Sequence, residues 1–126
     1  MGITAAGKAI FADLSGDVNS VAAFTYLELG SSDTAFAKTQ TALVSAITGS
    51  GLARAAATVT RATTTDTNDT LQLAKTWTAS GSATIKEIGV FNASSAGTMG
   101  ARSTLTTARS LTSGNTYTGT YQIVFA

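Results

Sequence analysis

The sequence predicts a mainly β fold, an antiparallel β-sandwich (jelly-roll-like) with one short N-terminal helix. Three observations carry the prediction. Apolar and polar residues alternate at period two over much of the chain after residue 22, the pattern of half-buried strands. The alternating runs are separated by short polar turns rather than by helical stretches, which favours antiparallel pairing. Ala and Thr together supply more than a third of the 126 residues, and Thr, stiff at χ1, fits a pleated surface without adding charge.

Residues 1–17 read as an N-terminal helix or arm, and residues 18–126 as the sandwich domain. Ile3, Ala6, Ile10 and Leu14 recur at three- and four-residue spacing, with Ser15-Gly16-Asp17 as the stop. Ala23, Thr25, Leu27 and Leu29 then alternate with Phe24, Tyr26 and Glu28 up to a turn at Gly30-Ser31-Ser32-Asp33. Residues 35–48 are ambiguous: Phe36, Leu43, Val44 and Ile47 fit one helical face, but Thr39, Thr41 and Thr48 disfavour a helix. They read as a long ordered connection with at most one helical turn.

Residues 53–63 form the next strand, closed by the polar loop Thr64-Thr65-Asp66-Thr67-Asn68-Asp69. In 70–79, Leu71, Leu73 and Trp77 share one face and Thr70, Gln72, Thr76 and Thr78 the other. In 84–92, Ile85, Glu87, Gly89 and Phe91 are in phase against Ile88 and Val90, so both faces are partly apolar and both need cover. A strand near 98–106 follows the turn Ala93-Ser94-Ser95-Ala96-Gly97. The last strand places Tyr117, Gly119, Tyr121, Ile123 and Phe125 against Thr116, Thr118, Thr120 and Gln122.

Composition tilts the function away from enzymes. The chain has no His, Cys or Pro, and eight Lys+Arg against seven Asp+Glu. Without His or Cys it lacks the usual general base, thiol nucleophile and soft metal ligands. No residue stands out as catalytic, cofactor-binding or metal-ligating, and no cofactor is expected. Asp66-Thr67-Asn68-Asp69 lacks the alternating ligands and distal Glu of a calcium loop, and Gly49-Ser50-Gly51 lacks the ending of a phosphate loop. The basic residues are scattered, arguing against nucleic acid. No apolar run reaches the ~18–20 residues of a membrane helix, and the first residues do not form a secretory signal.

Glu87, in phase with Ile85 and Phe91, is expected to point inward. Burying it requires a cation, and Arg102 or Arg61 is the expected partner. Aromatics on sheet faces are usually core, but Trp77, Tyr117 and Tyr121, with Ile3, Ile10 and Phe11 near the N-terminus, are the candidates for interaction. A charge-poor surface is unusual for a free monomer, so cover by an assembly is expected.

Three blocks carry a resemblance. Ile85-Lys86-Glu87-Ile88-Gly89-Val90-Phe91-Asn92 with Met99, Ala101 and Arg102 resembles the strand–turn–strand pattern "E-x-G-[LVI]-F-N … M-x-A-R" of small virion proteins of tailed bacteriophages. Tyr26-Leu27-Glu28-Leu29-Gly30 through Thr34-Ala35, and the closing run Leu111–Phe125, are similar to further segments of the same proteins. The resemblance implies a non-enzymatic virion protein made in the host cytoplasm. It points first to a capsid decoration (cement) protein, a homotrimer bound to the major capsid protein, with its N-terminal segment reaching a neighbour. The alternative is a tail, neck or fibre-attachment component, with possible receptor or carbohydrate binding through Trp77 and Tyr121.

Overall fold

In the computed structural model, which describes residues 2–125, eight strands and one helix follow in the order β1 (Gly2–Ile3), α1 (Ala5–Gly16), β2 (Tyr26–Gly30), β3 (Ala55–Ala56), β4 (Thr58–Ala62), β5 (Thr70–Thr78), β6 (Ala83–Phe91), β7 (Met99–Leu111) and β8 (Thr116–Val124). All the pairings are antiparallel. The strands build a five-stranded sheet, β1-β7-β6-β2-β3, and a three-stranded sheet, β4-β5-β8. The protein is thus mainly β, two antiparallel sheets packed as a sandwich with a single short N-terminal helix.

Between the sheets lie Leu27, Leu29, Ile85, Ile88, Val90 and Ala101 from the first sheet and Leu73, Trp77, Tyr121 and Ile123 from the second, all buried. Burying them stabilises the fold at roughly 25 cal/mol per Å² of apolar area removed from water. The alternation read from the sequence places these residues directly in β2, β5 and β8. Phe125 departs from it: it lies beyond β8, half exposed, with its ring 5.6 Å from that of Phe11.

Four elements differ from the sequence reading, each for a local reason. In α1 the stripe facing the fold is Gly7, Ile10 and Phe11, while Ala6 and Leu14 are exposed and Ile3 belongs to β1. Thr4 sets this phase. Its hydroxyl donates to the Met99 carbonyl at 2.6 Å and accepts from the Gly7 N–H at 2.9 Å, capping the helix while pinning it to β7. A Cβ on Gly7 would come within 2.2 Å of the Gly100 carbonyl oxygen, so the glycine sets how closely helix and strand approach. The N-terminal segment is therefore docked on its own domain.

The single run expected at 53–63 divides at Ala57, so that β3 joins β2 and β4 joins β5 in the other sheet. In β6 the phase reverses within the strand. Ile85 pairs with Arg109 and Glu87 with Thr104, so residues 105–108 of β7 bulge opposite Lys86 alone. Ile85 consequently joins Ile88 and Val90 in the core, whereas Glu87 and Phe91 turn to the outer face. The same bulge carries β7 on to Leu111, past the expected end near 106. Residues 31–46 contain no helix; they cross the outer face of the five-stranded sheet, where Leu43 packs with Phe91 and Met99.

Candidate functional site

The outer face of the five-stranded sheet holds two ion pairs that consume both glutamates of the chain. Gly30 stands opposite Glu87 in the β2–β6 register. A side chain at Gly30 would meet the Glu87 carboxyl at 2.5 Å, so the absent Cβ is what lets this carboxylate lie across β2. Glu87 Oε1 accepts from Arg102 Nε at 2.8 Å and from the Val44 N–H at 3.0 Å; Oε2 accepts from the Ser45 N–H at 2.9 Å and the Ser32 N–H at 3.1 Å. Both side chains of the pair are fully buried. Arg102 Nη1 donates to the Thr34 carbonyl at 2.9 Å. Of the two cations that the sequence offered to Glu87, Arg102 is the partner, and Arg61 lies exposed on β4.

The chemistry of this node is a latch. A carboxylate in a dry site needs several donors, and three of the four here are backbone N–H groups of the crossing segment. Residues 31–46 thereby fix themselves to the sheet without a helix or strand of their own. Gly89, opposite Arg102, receives Leu43 in the space a side chain would take.

The second pair, Glu28–Arg54, was not anticipated from sequence. Arg54 Nε lies 3.2 Å from Glu28 Oε2, and its guanidinium stacks 3.6 Å from the centre of the Phe91 ring. Its Nη1 donates to the Ala93 and Ala96 carbonyls, at 3.1 and 2.8 Å. It thereby holds the 93–97 turn, in which Ala96 sits at a φ of 51°. The available signal was Glu28 itself, a charged residue on the covered side of an apolar strand.

The interaction candidates occupy different settings. Ile3, Ile10 and Phe11 are half-buried against the core. Trp77 and Tyr121 are each 3% exposed, and the Trp77 indole N–H donates to the Ala53 carbonyl at 2.9 Å. Neither ring is presented to solvent, so the carbohydrate platform has no surface at these two residues. Tyr117 is half-buried, 6.3 Å from Trp77 and with Arg109 over its ring at 5.8 Å; burial raises its phenol pKa, against a smaller lowering by Arg109. Burial also raises that of Tyr121, with Arg102 opposing.

In the β4–β5 loop, Asp69 accepts from the backbone N–H groups of Asp66, Thr65 and Thr64 and from the Thr70 hydroxyl. Its oxygens are engaged within the loop. These bonds, that from Asp66 foremost, hold the carboxyl well below the usual carboxylate range. Among the described residues there is no group of three His, Cys, Asp or Glu side chains placed to hold a metal ion.

The remaining large surface is the outer face of the three-stranded sheet. It displays Thr58, Thr60, Thr76, Thr118, Thr120 and Gln122, with hydroxyl and amide pairs at 2.8 Å for Thr76–Thr118 and Gln72–Gln122. It carries no charged side chain in the outward phase of its strands.

The site thus consists of a sandwich latched by buried ion pairs on one face and a bare, uncharged sheet on the other. The chain belongs to the family described as Podophage GP4 fiber I protein gp80, whose model matches residues 4–123. It is a phage structural protein, and its place is in the virion. The blocks that carried the resemblance contain part of this outer-face network, Glu28, Gly30 and Thr34 in one and Glu87, Gly89, Phe91 and Arg102 in the other, while Val44, Ser45 and Arg54 lie outside them. No curated protein and no solved structure matches the chain.

Proposed function

We propose that the protein is a fibre or fibre-attachment component of a podophage virion, that it acts by binding rather than by catalysis, and that it assembles with copies of itself. The observation that carries this reading is the family match, which spans nearly the whole chain and is described as a fibre protein. It supports a location on the fibre ahead of one on the head shell. The latch supports a mechanical role. A segment with no regular structure is fixed by three backbone hydrogen bonds to one carboxylate that Arg102 also holds, which ties the cover of the broad face to the sheet beneath it. The uncharged threonine face supports self-association, because it brings no like charges together.

Cryo-EM of the virion, or immunogold labelling with an antibody to this chain, tests the location. Label at the tail or its fibres, in few copies, is the expected result. Label spread over the head lattice in contact with the major capsid protein would overturn the fibre reading in favour of capsid decoration.

A further inference from the structure

The strand edges of the sandwich differ in how they are guarded. β7 has β1 beside its start and the 105–108 bulge further on. β4 is five residues long and contains Arg61. β8 has none of these devices. Its nine residues pair with β5 along their whole length without a register shift, and among the described residues nothing pairs with its other side. It contains no charged residue and no proline, the usual means of keeping an edge from adding strands. A second observation points to the same edge. Between it and the facing sheet lies a cleft of ≈ 180 Å³, lined by Ile88 and Ser103 opposite Thr120, Tyr121 and Gln122. The Tyr121 hydroxyl, though buried, has no hydrogen-bond partner.

We propose that the free edge of β8 is the site at which a second copy of this chain pairs, edge to edge and antiparallel, about a two-fold axis at Gly119. The occupant is argued from the strand's own chemistry. This register sets Thr118 opposite the partner's Thr120, Thr116 opposite the partner's Gln122, and Tyr117 opposite the partner's Tyr121. Uncharged polar pairs like those already present at Thr76–Thr118 and Gln72–Gln122 then continue across a six-stranded sheet. No charge meets a like charge, and the unpaired N–H and C=O groups of both edges are satisfied. Gly119 leaves the axis free of side chains. The pairing ends before Phe125, where Phe11 of α1 is seated. This inference rests on the assembly reading above and gives it a surface and a two-fold symmetry, in place of the trimer that the resemblance implies.

Light scattering on the purified protein is expected to give a dimer. Amide exchange over residues 116–122 is expected to slow as concentration rises. Thr118→Lys with Thr120→Lys places each lysine opposite a lysine and is expected to give a monomer, as is the corresponding pair of glutamate substitutions. Mixing the two variants is expected to restore a heterodimer. Thr58→Lys with Thr60→Lys, on the same face but on β4, is expected to remain dimeric. A wild type that stays monomeric or forms a trimer overturns the proposal, and so does exchange in β8 that is independent of concentration. Folded lysine and glutamate variants that do not pair on mixing overturn it too. These readouts use the isolated protein, so a dimer found on the head shell would defeat the fibre location and leave this contact standing.

Discussion

The two sheets of this sandwich are finished on their outer faces in opposite ways. The five-stranded sheet puts a carboxylate, a guanidinium, Phe91 and Met99 on its outer side, and the fold covers them with residues 31–46. The three-stranded sheet puts threonine and glutamine on its outer side and leaves them bare. The difference shows where the protein spends its few charges. Both glutamates are buried with arginine partners, where an ion pair fixes register and holds an irregular segment in place. The open face, where charge would ordinarily ensure solubility, has none.

The comparison breaks most severely at Glu87. Glu87→Gln leaves Arg102 buried without a countercharge and offers an NH₂ group where backbone donors point. A loss of about 3–5 kcal/mol is expected, read as a lower urea midpoint at unchanged slope. Replacing both partners together, Glu87→Leu with Arg102→Met, is expected to cost less than the single change, since no charge is then stranded. A double variant worse than the single would show that the pair's worth lies in its packing.

Gly7→Ala tests the helix that meets the same sheet. In an ordinary helix interior, alanine gains roughly 0.5–1 kcal/mol over glycine. Here the added methyl meets the Gly100 carbonyl at 2.2 Å. A net loss of about 1–3 kcal/mol is expected as α1 lifts from β7, visible as a lower Tm. An unchanged or raised Tm would mean that α1 adjusts freely.

The three-stranded sheet has its electrostatic anchor in the exposed β4–β5 loop, and that anchor titrates. The folded-state pKa of Asp69 lies below its ordinary value of 3.8. Its contribution to stability is therefore complete above the unfolded value and is lost as pH falls through about 4 and below. Asp69→Asn is expected to be less stable than wild type at pH 7 and to converge with it under acid, in denaturation series from pH 7 to pH 2. Parallel curves would remove the assignment. The smallest effect belongs to the bare face: Thr76→Val, which loses only an exposed hydroxyl pair, is expected to stay within about 0.5 kcal/mol of wild type. A loss comparable to that at Gly7 would erase the contrast between the faces.

Much of this architecture was legible because period-two alternation reports burial directly. Leu27 and Leu29, Leu73 and Trp77, and Tyr121 and Ile123 all face the core as their spacing requires. That Glu87 is buried with a cationic partner was legible too, since a lone charge in an apolar strand needs one, although the face it occupies was not. Arg54 was not, because it lies outside any alternating strand and reaches Glu28 across 26 residues of chain. The bulge opposite Lys86 was equally hidden. Nothing in Leu105-Thr106-Thr107-Ala108 differs in kind from the rest of a threonine-rich strand, yet it moves Ile85 into the core and Glu87 to the outer face.

By itself, then, the sequence determined the class of fold, the core of each regular strand, the absence of thiol and imidazole chemistry, and the need of Glu87 for a cation. Only the tertiary structure decided that the cation is Arg102, that residues 31–46 supply the other donors, that Trp77 and Tyr121 lie beneath the surface, and that β8 is the unguarded edge. The physical reason is one of range. Alternation and turn chemistry act between neighbours in the chain, whereas register, bulges and edge exposure depend on strands that meet only once the sheet has closed.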